Sequence, residues 1–362
     1  MSNADDAKAV AREFVIPGKL MNAVSYGSGH INDSYCVVSN SAGAQVRFIV
    51  QRINHNIFKN PVAMMENIER VTSHLAAQVA GEQGAERRVL TLVRKRDGTA
   101  WHRDEAGNYW RAYKFIENAA SFDAVQSTAQ AFEAARAFGQ FQRMLSSLPA
   151  PRLQDTIPDF HHTPKRFMAL ERAVAADVAG RAATAHREIE FAFGRQSMTS
   201  VLLDANLPER VTHNDTKFNN VMLDDVTGEG ICVIDLDTVM PGLVLYDFGD
   251  MVRTTTSPAM EDEKDLSKVT MQFPMFEALV RGYLSSAGDF LTEAEKRYLS
   301  FSGKLITFEI GIRFLTDYLA GDTYFKVHRE GHNLDRCRTQ FRLVESIEQQ
   351  EDLMNGLVFS LS

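Results

Sequence analysis

No CxxC pair and no metal-like cysteine spacing occurs in these 362 residues; Cys36, Cys232 and Cys337 stand far apart. That excludes a zinc ribbon or a disulfide framework, and an odd, sparse count suits a reducing compartment. No apolar run approaches the ~18–20 residues of a membrane-spanning helix. The opening MSNADDAKAVAREF lacks the apolar centre of a secretion signal, so a soluble cytoplasmic protein is expected. Basic clusters are also missing. The longest is Arg94-Lys95-Arg96, beside a turn at Asp97-Gly98, and the net charge is −8. Nucleic acid and anionic membranes are therefore poor partners. Repeats and low-complexity tracts are absent too. What remains, 44 % hydrophobic and 24 % charged, is a globular composition with enough chain for two cores.

The most informative stretch is VTHNDTKFNNVMLDDVTGEGICVIDLD, residues 211–237. Residues 221–223 and 231–234 are apolar, and the turn-rich DDVTGEG lies between them. Two short strands, each rising about 3.3 Å per residue, go out and come back. Asn220 and Asp235 then meet at the base of the hairpin, beside the loop carrying His213, Asn214 and Asp215. Such a set suits phosphoryl transfer. One carboxylate, Asp215, orients a hydroxyl and accepts its proton, while an amide and a second carboxylate, Asn220 and Asp235, hold Mg²⁺ on nucleotide phosphates. Asn at five residues past the HxD and a strand-terminal Asp follow the kinase order.

The rest of the chain supplies a matching frame. Residues 24–38 read as strand, turn, strand, and 45–53 as a third strand. Residues 62–80 form a helix with Met65, Ile68, Val71, Thr72 and Leu75 on one face. Residues 89–93 and 108–116 are expected as further strands. Beyond residues 117–121 the chain turns helical, beginning at 127–148, where Phe132, Ala135, Phe138, Phe141 and Leu145 keep helical spacing. The expected fold is α+β and bilobal, of the protein-kinase kind: a small β-rich N-terminal lobe (1–117) and a larger, mainly helical C-terminal lobe (118–362). Phe115, Ile116 and Glu117, on the strap between lobes, are candidates to meet adenine. In YDFGD (246–250), Asp247 is expected to brace the catalytic loop by accepting from its backbone N–H groups.

The segments GHINDSY (29–35), FIVQRIN (48–54), YKFIE (113–117), RVTHNDTKFNN (210–220), VIDLDTVMPG (233–242), YDFGD and GIRFLTDYLAGDTYF (311–325) resemble the aminoglycoside phosphotransferase/choline kinase family over nearly the whole chain. The likeness is strongest to its N-acetylhexosamine 1-kinase branch. It implies ATP and Mg²⁺ as cosubstrates and a small-molecule sugar as partner, phosphorylated at the anomeric hydroxyl of N-acetylglucosamine or N-acetylgalactosamine. It also implies Asp215 as base, Asn220 and Asp235 as metal ligands, and His30, Arg313 and Tyr324 as sugar contacts. A sugar pocket wants forked donors and aromatic walls, because sugar faces mix hydroxyls with C–H surface. Arg313 fits that need, although Glu309 and Asp317, each four residues away, could instead pair with it.

Two departures stand out. The third strand of a protein kinase carries a phosphate-binding Lys paired with a helix Glu. Here that neighbourhood offers Gln51 or Arg52, only one of which faces the cleft, with Glu66 and Glu69 as possible helix partners. Thr254 stands where the resemblance leads one to expect an aromatic wall. A competing motif, the DxDxT/V of haloacid-dehalogenase-type phosphatases, fits residues 235–239 and would make Asp235 a nucleophile. It leaves His213, Asp215 and Asn220 without a role, and it lies far from the start of the chain, where such motifs open the domain. A nucleotide-binding protein without turnover would carry the same residues, as would a kinase acting on another sugar, an aminoglycoside or a choline-like alcohol.

Overall fold

The computed structural model describes residues 3–27 and 31–361 as a β-rich lobe and a helical lobe. The N-terminal lobe is an antiparallel sheet in the order β1–β2–β3–β5–β4. Its strands are Lys19–Ser25 (β1), Asp33–Ser41 (β2), Ala44–Ile53 (β3), Trp101–Arg103 (β4) and Tyr109–Lys114 (β5). β2 and β3 turn at Ala42-Gly43, both at positive φ (52° and 88°), the geometry of a tight two-residue hairpin. Strand alternation gives this sheet two distinct faces. Phe48, Val50, Trp110 and Ala112 pack in one core cluster with the N-terminal helix Asn3–Val10. Ile49, Gln51, Arg111 and Tyr113 belong to the other face, toward the C-terminal lobe.

The strand expected at 89–93 does not form as such. Leu92 makes an isolated bridge to Tyr113, and the Val93 N–H donates to the Ala112 carbonyl at 2.8 Å. The same edge of β5 is already occupied opposite residues 109–111 by β4, which sequence patterning missed. The two segments divide one edge between them. The helix expected at 62–80 runs Pro61–Gln78, started by Pro61 and by the Asn60 side chain accepting from the Ala63 N–H at 3.1 Å. Its buried Asn67 donates to the carbonyls of Gln154 and Val239, tying the helix to the lower lobe.

The chain leaves β5 at Lys114 and enters the C-terminal lobe at Ala119–Ala120 (β6). This short strand pairs with the expected hairpin, Val221–Asp224 (β8) and Gly230–Val233 (β9), in the order β6–β8–β9. Asp224 closes the hairpin turn, its carboxylate accepting from the N–H groups of Val226 and Thr227 at 2.9 and 2.8 Å. Arg210–Thr212 (β7) and Met240–Gly242 (β10) form a further antiparallel pair outside the hairpin. Helices Thr128–Leu145 and Phe273–Ala287 cross closely at two glycines. A Cβ on Gly282 would sit 2.2 Å from the Phe132 carbonyl oxygen, and one on Gly139 would sit 2.9 Å from that of Tyr283. That approach brings Gln142 and Tyr283 under the catalytic loop. Among the described residues, no helix is long and apolar enough to cross a membrane.

Candidate active site

β7 leads into the loop that carries residues 213–215, and β10, paired with β7, follows the segment that begins at Asp235. Asn214 adopts φ 65° and Asp235 φ 60°, left-handed conformations uncommon outside glycine and typical of strained functional positions. Buried bonds hold the loop in this shape. Asp247, on the helix Val244–Thr255, accepts from the His213 N–H at 2.8 Å and from the Asn214 N–H at 2.6 Å. This is the brace expected of it. Gln142 also donates to Asp247, at 2.6 Å, and the Tyr283 hydroxyl donates to Gln142. Burial pushes the Asp247 carboxyl up, while these N–H donors pull it down; the net direction is up. Around it, the Asn214 side chain donates to the Thr238 carbonyl at 2.9 Å, and the Thr238 hydroxyl donates to the His213 carbonyl at 2.7 Å. His213 accepts from the Asp215 N–H at Nδ1 and donates from Nε2 to the Ile234 carbonyl at 2.9 Å, an Nε2–H tautomer. The HxD histidine thus ties the loop to the end of β9.

Asp215, Asn220 and Asp235 come together as the spacing predicts. Asn220 donates to the Asp215 carbonyl at 2.8 Å and to its carboxylate at 3.3 Å. Lys217, which motif reading passed over, pairs with Asp215 at 2.8 Å. Burial alone would push the Asp215 carboxyl up, but the Lys217 ammonium outweighs it and the net direction is down. Lys217 in turn is raised to about 12, chiefly by Asp215. Asp235 is solvent-accessible on the cleft floor and makes no hydrogen bond or ion pair among the described residues. Its carboxyl is raised to about 6, by crowding of the surrounding protein and by Asp237 and Asp215. An acidic group held short of counter-charge fits a cation. Asp235 and the Asn220 side-chain oxygen are suited to Mg²⁺, which takes few protein ligands and completes its shell from water and phosphates. No group of three or more His, Cys, Asp or Glu placed to hold a metal ion occurs among the described residues.

The upper wall settles the choice between Gln51 and Arg52. Arg52 lies on the far face, where its Nε donates to Asp33 at 2.8 Å, so it cannot clamp phosphates in the cleft. Gln51 faces the cleft, donating to the Ser34 hydroxyl at 2.8 Å and accepting from Arg111 Nε at 2.9 Å. Arg111 is 1 % exposed and forms an ion pair with Asp237, whose other oxygen accepts from Asn32 at 2.6 Å. The possible helix partners are taken elsewhere: Glu66 accepts from Gln154, and Glu69 pairs with Arg94. On the strap, Ile116 is buried with Met222 and Cys232 in an apolar cluster beneath the cleft. The Arg47 guanidinium lies 3.8 Å from the centre of the Phe115 ring and pairs with Glu117. The Phe115 N–H and the Glu117 carbonyl are already bonded, to Arg47 and Arg87. Among the described residues, the backbone groups of Ile116 and the N–H of Glu117 have no hydrogen-bond partner.

Arg313 is not in the salt-bridge network that its spacing allows. Glu309 is taken by His161 (2.8 Å) and Thr163 (2.6 Å), and Asp317 caps the N–H groups of Thr323, Tyr324 and Phe325. Among the described residues the Arg313 guanidinium makes no hydrogen bond or ion pair and faces aromatic rings, at 5.3 Å from the ring centre of Phe160, 6.0 Å from Tyr324 and 5.7 Å from Phe325. Tyr324 is 61 % exposed beside it. This box reaches the catalytic loop through His161, whose second nitrogen bonds the Asn214 carbonyl at 3.2 Å. Both partners of the ring are acceptors, so His161 is an imidazolium there. Burial would lower it, but the Glu309 carboxylate more than compensates and the net direction is up. Sequence reading missed His161, which lies in no motif. Thr254 contributes no wall: its hydroxyl bonds back to the Asp250 carbonyl at 2.8 Å. His30 lies outside the described residues.

Known proteins share this architecture. The sequence model of the phosphotransferase enzyme family (APH) matches residues 23–266. A microcompartment-associated aminopropanol kinase is similar at 16 % identity and TM-score 0.59, covering 97 % of this chain and 98 % of that one. Spectinomycin phosphotransferase APH(9)-Ia, solved with ADP and spectinomycin, aligns at 12 % identity and TM-score 0.55, with 99 % and 98 % covered. Choline kinase from Cryptosporidium parvum Iowa II gives 14 % identity and TM-score 0.55, with 98 % and 97 % covered. At such identities the structures establish the protein-kinase-like fold, and the family match covers well over half the chain. The chain belongs to the phosphotransferase enzyme family.

Proposed function

We propose that this protein transfers the γ-phosphoryl group of ATP to a sugar hydroxyl, the anomeric hydroxyl of N-acetylglucosamine or N-acetylgalactosamine. The observation that carries the choice of acceptor is Arg313, a cation without a carboxylate partner in an aromatic box joined to the catalytic loop. A forked donor between rings suits hydroxyls and an acetamido carbonyl lying against C–H surface. Arg166 is close enough to Arg313 to be lowered by burial and by that charge, while the nearby Glu309 carboxylate is committed to imidazolium His161 and to Thr163. The Arg313 guanidinium itself disfavours a cationic amino alcohol or aminoglycoside beside it.

Asp215 orients the acceptor hydroxyl and takes its proton. Its lowered pKa makes it a weak base, adequate for a loose transition state in which the hydroxyl loses its proton late. Lys217 holds the Asp215 carboxylate from one side and Asn220 from the other, so its orientation is set before substrate arrives. Asp235 and Asn220 would hold Mg²⁺, which supplies charge neutralisation on the phosphates. Arg313 and Tyr324 position the sugar, and the Ile116 strap takes adenine. The test is ATP consumption across N-acetylhexosamines, other sugars, choline, ethanolamine and an aminoglycoside, with the phosphorylated carbon located by NMR. Turnover confined to N-acetylhexosamines with phosphate on C1 is expected. Phosphate on an exocyclic hydroxyl, or preference for a cationic alcohol, would overturn the assignment.

A further inference from the structure

Gln51 faces the cleft where a cation would serve the nucleotide's phosphates, and a neutral amide cannot neutralise charge. The charge is one strand away. Arg111 on β5 stands opposite Gln51 in register, on the same face, and donates to it. Its guanidinium pairs with Asp237, two residues beyond Asp235, and Asp235 also acts on its charge. Among the described residues, it is the one N-terminal-lobe Lys or Arg paired with these cleft-floor carboxylates. A second observation lies beside it. The Tyr113 hydroxyl is buried, has no hydrogen-bond partner among the described residues, and its ring centre is 5.3 Å from the Arg111 guanidinium carbon. A buried hydroxyl without a partner costs about 1–3 kcal/mol unless something fills the gap.

We propose that Arg111, with the Tyr113 hydroxyl, is the phosphate-binding group of the upper lobe, the cation having moved from β3 to β5. Asp237 and Gln51 keep the guanidinium in place until a phosphate shares it. An arginine suits the position because it stays charged when fully buried and can bond Gln51, Asp237 and an incoming oxygen at once. The inference rests on the reading that nucleotide binds in this cleft.

The experiment is calorimetric binding of ADP and of adenosine, each with excess Mg²⁺, to the intact protein. Arg111→Gln alone leaves Asp237 buried without its partner and endangers folding, so the informative variant is Arg111→Gln with Asp237→Asn, which removes both charges. Unfolding curves establish that each variant is folded. Wild type should bind ADP far more tightly than adenosine. The double variant should lose at least tenfold of that preference with adenosine affinity kept, and Gln51→Lys added to the double variant should restore part of it. An unchanged preference in the double variant, or no recovery when Gln51→Lys is added, overturns the assignment of Arg111. Failure of wild type to distinguish ADP from adenosine would instead overturn the placement of nucleotide in the cleft.

Discussion

Asp247→Asn removes one charge and one acceptor from the point where the catalytic loop is tied down. In the wild type one carboxylate oxygen serves the His213 N–H and Gln142, and the other serves the Asn214 N–H at 2.6 Å. Gln142 cannot turn over without breaking its bond from Tyr283. An asparagine must therefore aim its NH₂ at a backbone N–H or at Gln142, leaving a buried donor facing a donor. An orphaned buried donor costs about 1–3 kcal/mol, and turning the remaining charged bonds into neutral ones costs roughly 1 kcal/mol each. Part of this is returned because the buried charge was itself costly, as the upward shift of the Asp247 carboxyl indicates. The net loss expected is about 2–4 kcal/mol, which for a chain of this length lowers Tm by about 3–5 °C. Because the loop carries Asp215, a displacement of about 1 Å should reduce kcat by about 10²-fold, with the KM for ATP little changed. Thermal unfolding and steady-state kinetics on one preparation read both effects. A variant with Tm within 1 °C and kcat within twofold of wild type would show that Asp247 does not set the loop.

Arg313→Met should raise the acceptor KM by about 10–100-fold with the KM for ATP nearly unchanged, and Arg313→Lys should not restore it, since an ammonium lacks the fork. Equal effects on both substrates would mean that Arg313 is structural. His161 gives a pH test. Its folded pKa lies above its ordinary 6.5, so between the two values the native state holds a proton that the unfolded chain does not. Stability is then fully present below 6.5 and falls as pH rises through the folded pKa. Tm measured from pH 6 to 9 should decline in wild type and flatten in His161→Gln; identical slopes would remove the imidazolium from the account.

The hairpin and its polar ends were legible because they are local: apolar runs, a turn sequence and fixed spacing put Asn220 and Asp235 together without knowledge of the rest. Asp247 was legible for a similar reason, as a carboxylate entering a helix beside a loop rich in N–H groups. Arg111 was not. Its partner Asp237 lies 126 residues away, and strand alternation says which residues share a face but not which strands are neighbours. The same limit left Gln51 and Arg52 undecided until register placed Arg52 beside Asp33. Arg313 shows the opposite hazard. Glu309 and Asp317 sit at ideal spacing to neutralise it, yet His161, Thr163 and the turn at 323–325 claim both, and only the tertiary structure shows the guanidinium left open. Residues 89–93 had the composition of a strand but share their edge of β5 with β4, a competition that no local pattern reveals.

The central claim is that Asp215 orients and deprotonates the acceptor in a cleft that binds nucleotide without its help. Single-turnover transfer from ATP to N-acetylglucosamine or N-acetylgalactosamine by Asp215→Asn, with ADP affinity measured on the same sample, tests it most directly. The expected result is transfer slowed by about 10²–10⁴-fold, the range of general-base catalysis, with ADP affinity within a few-fold of wild type. Near-normal transfer, or a loss of ADP binding as large as the loss of rate, would contradict it.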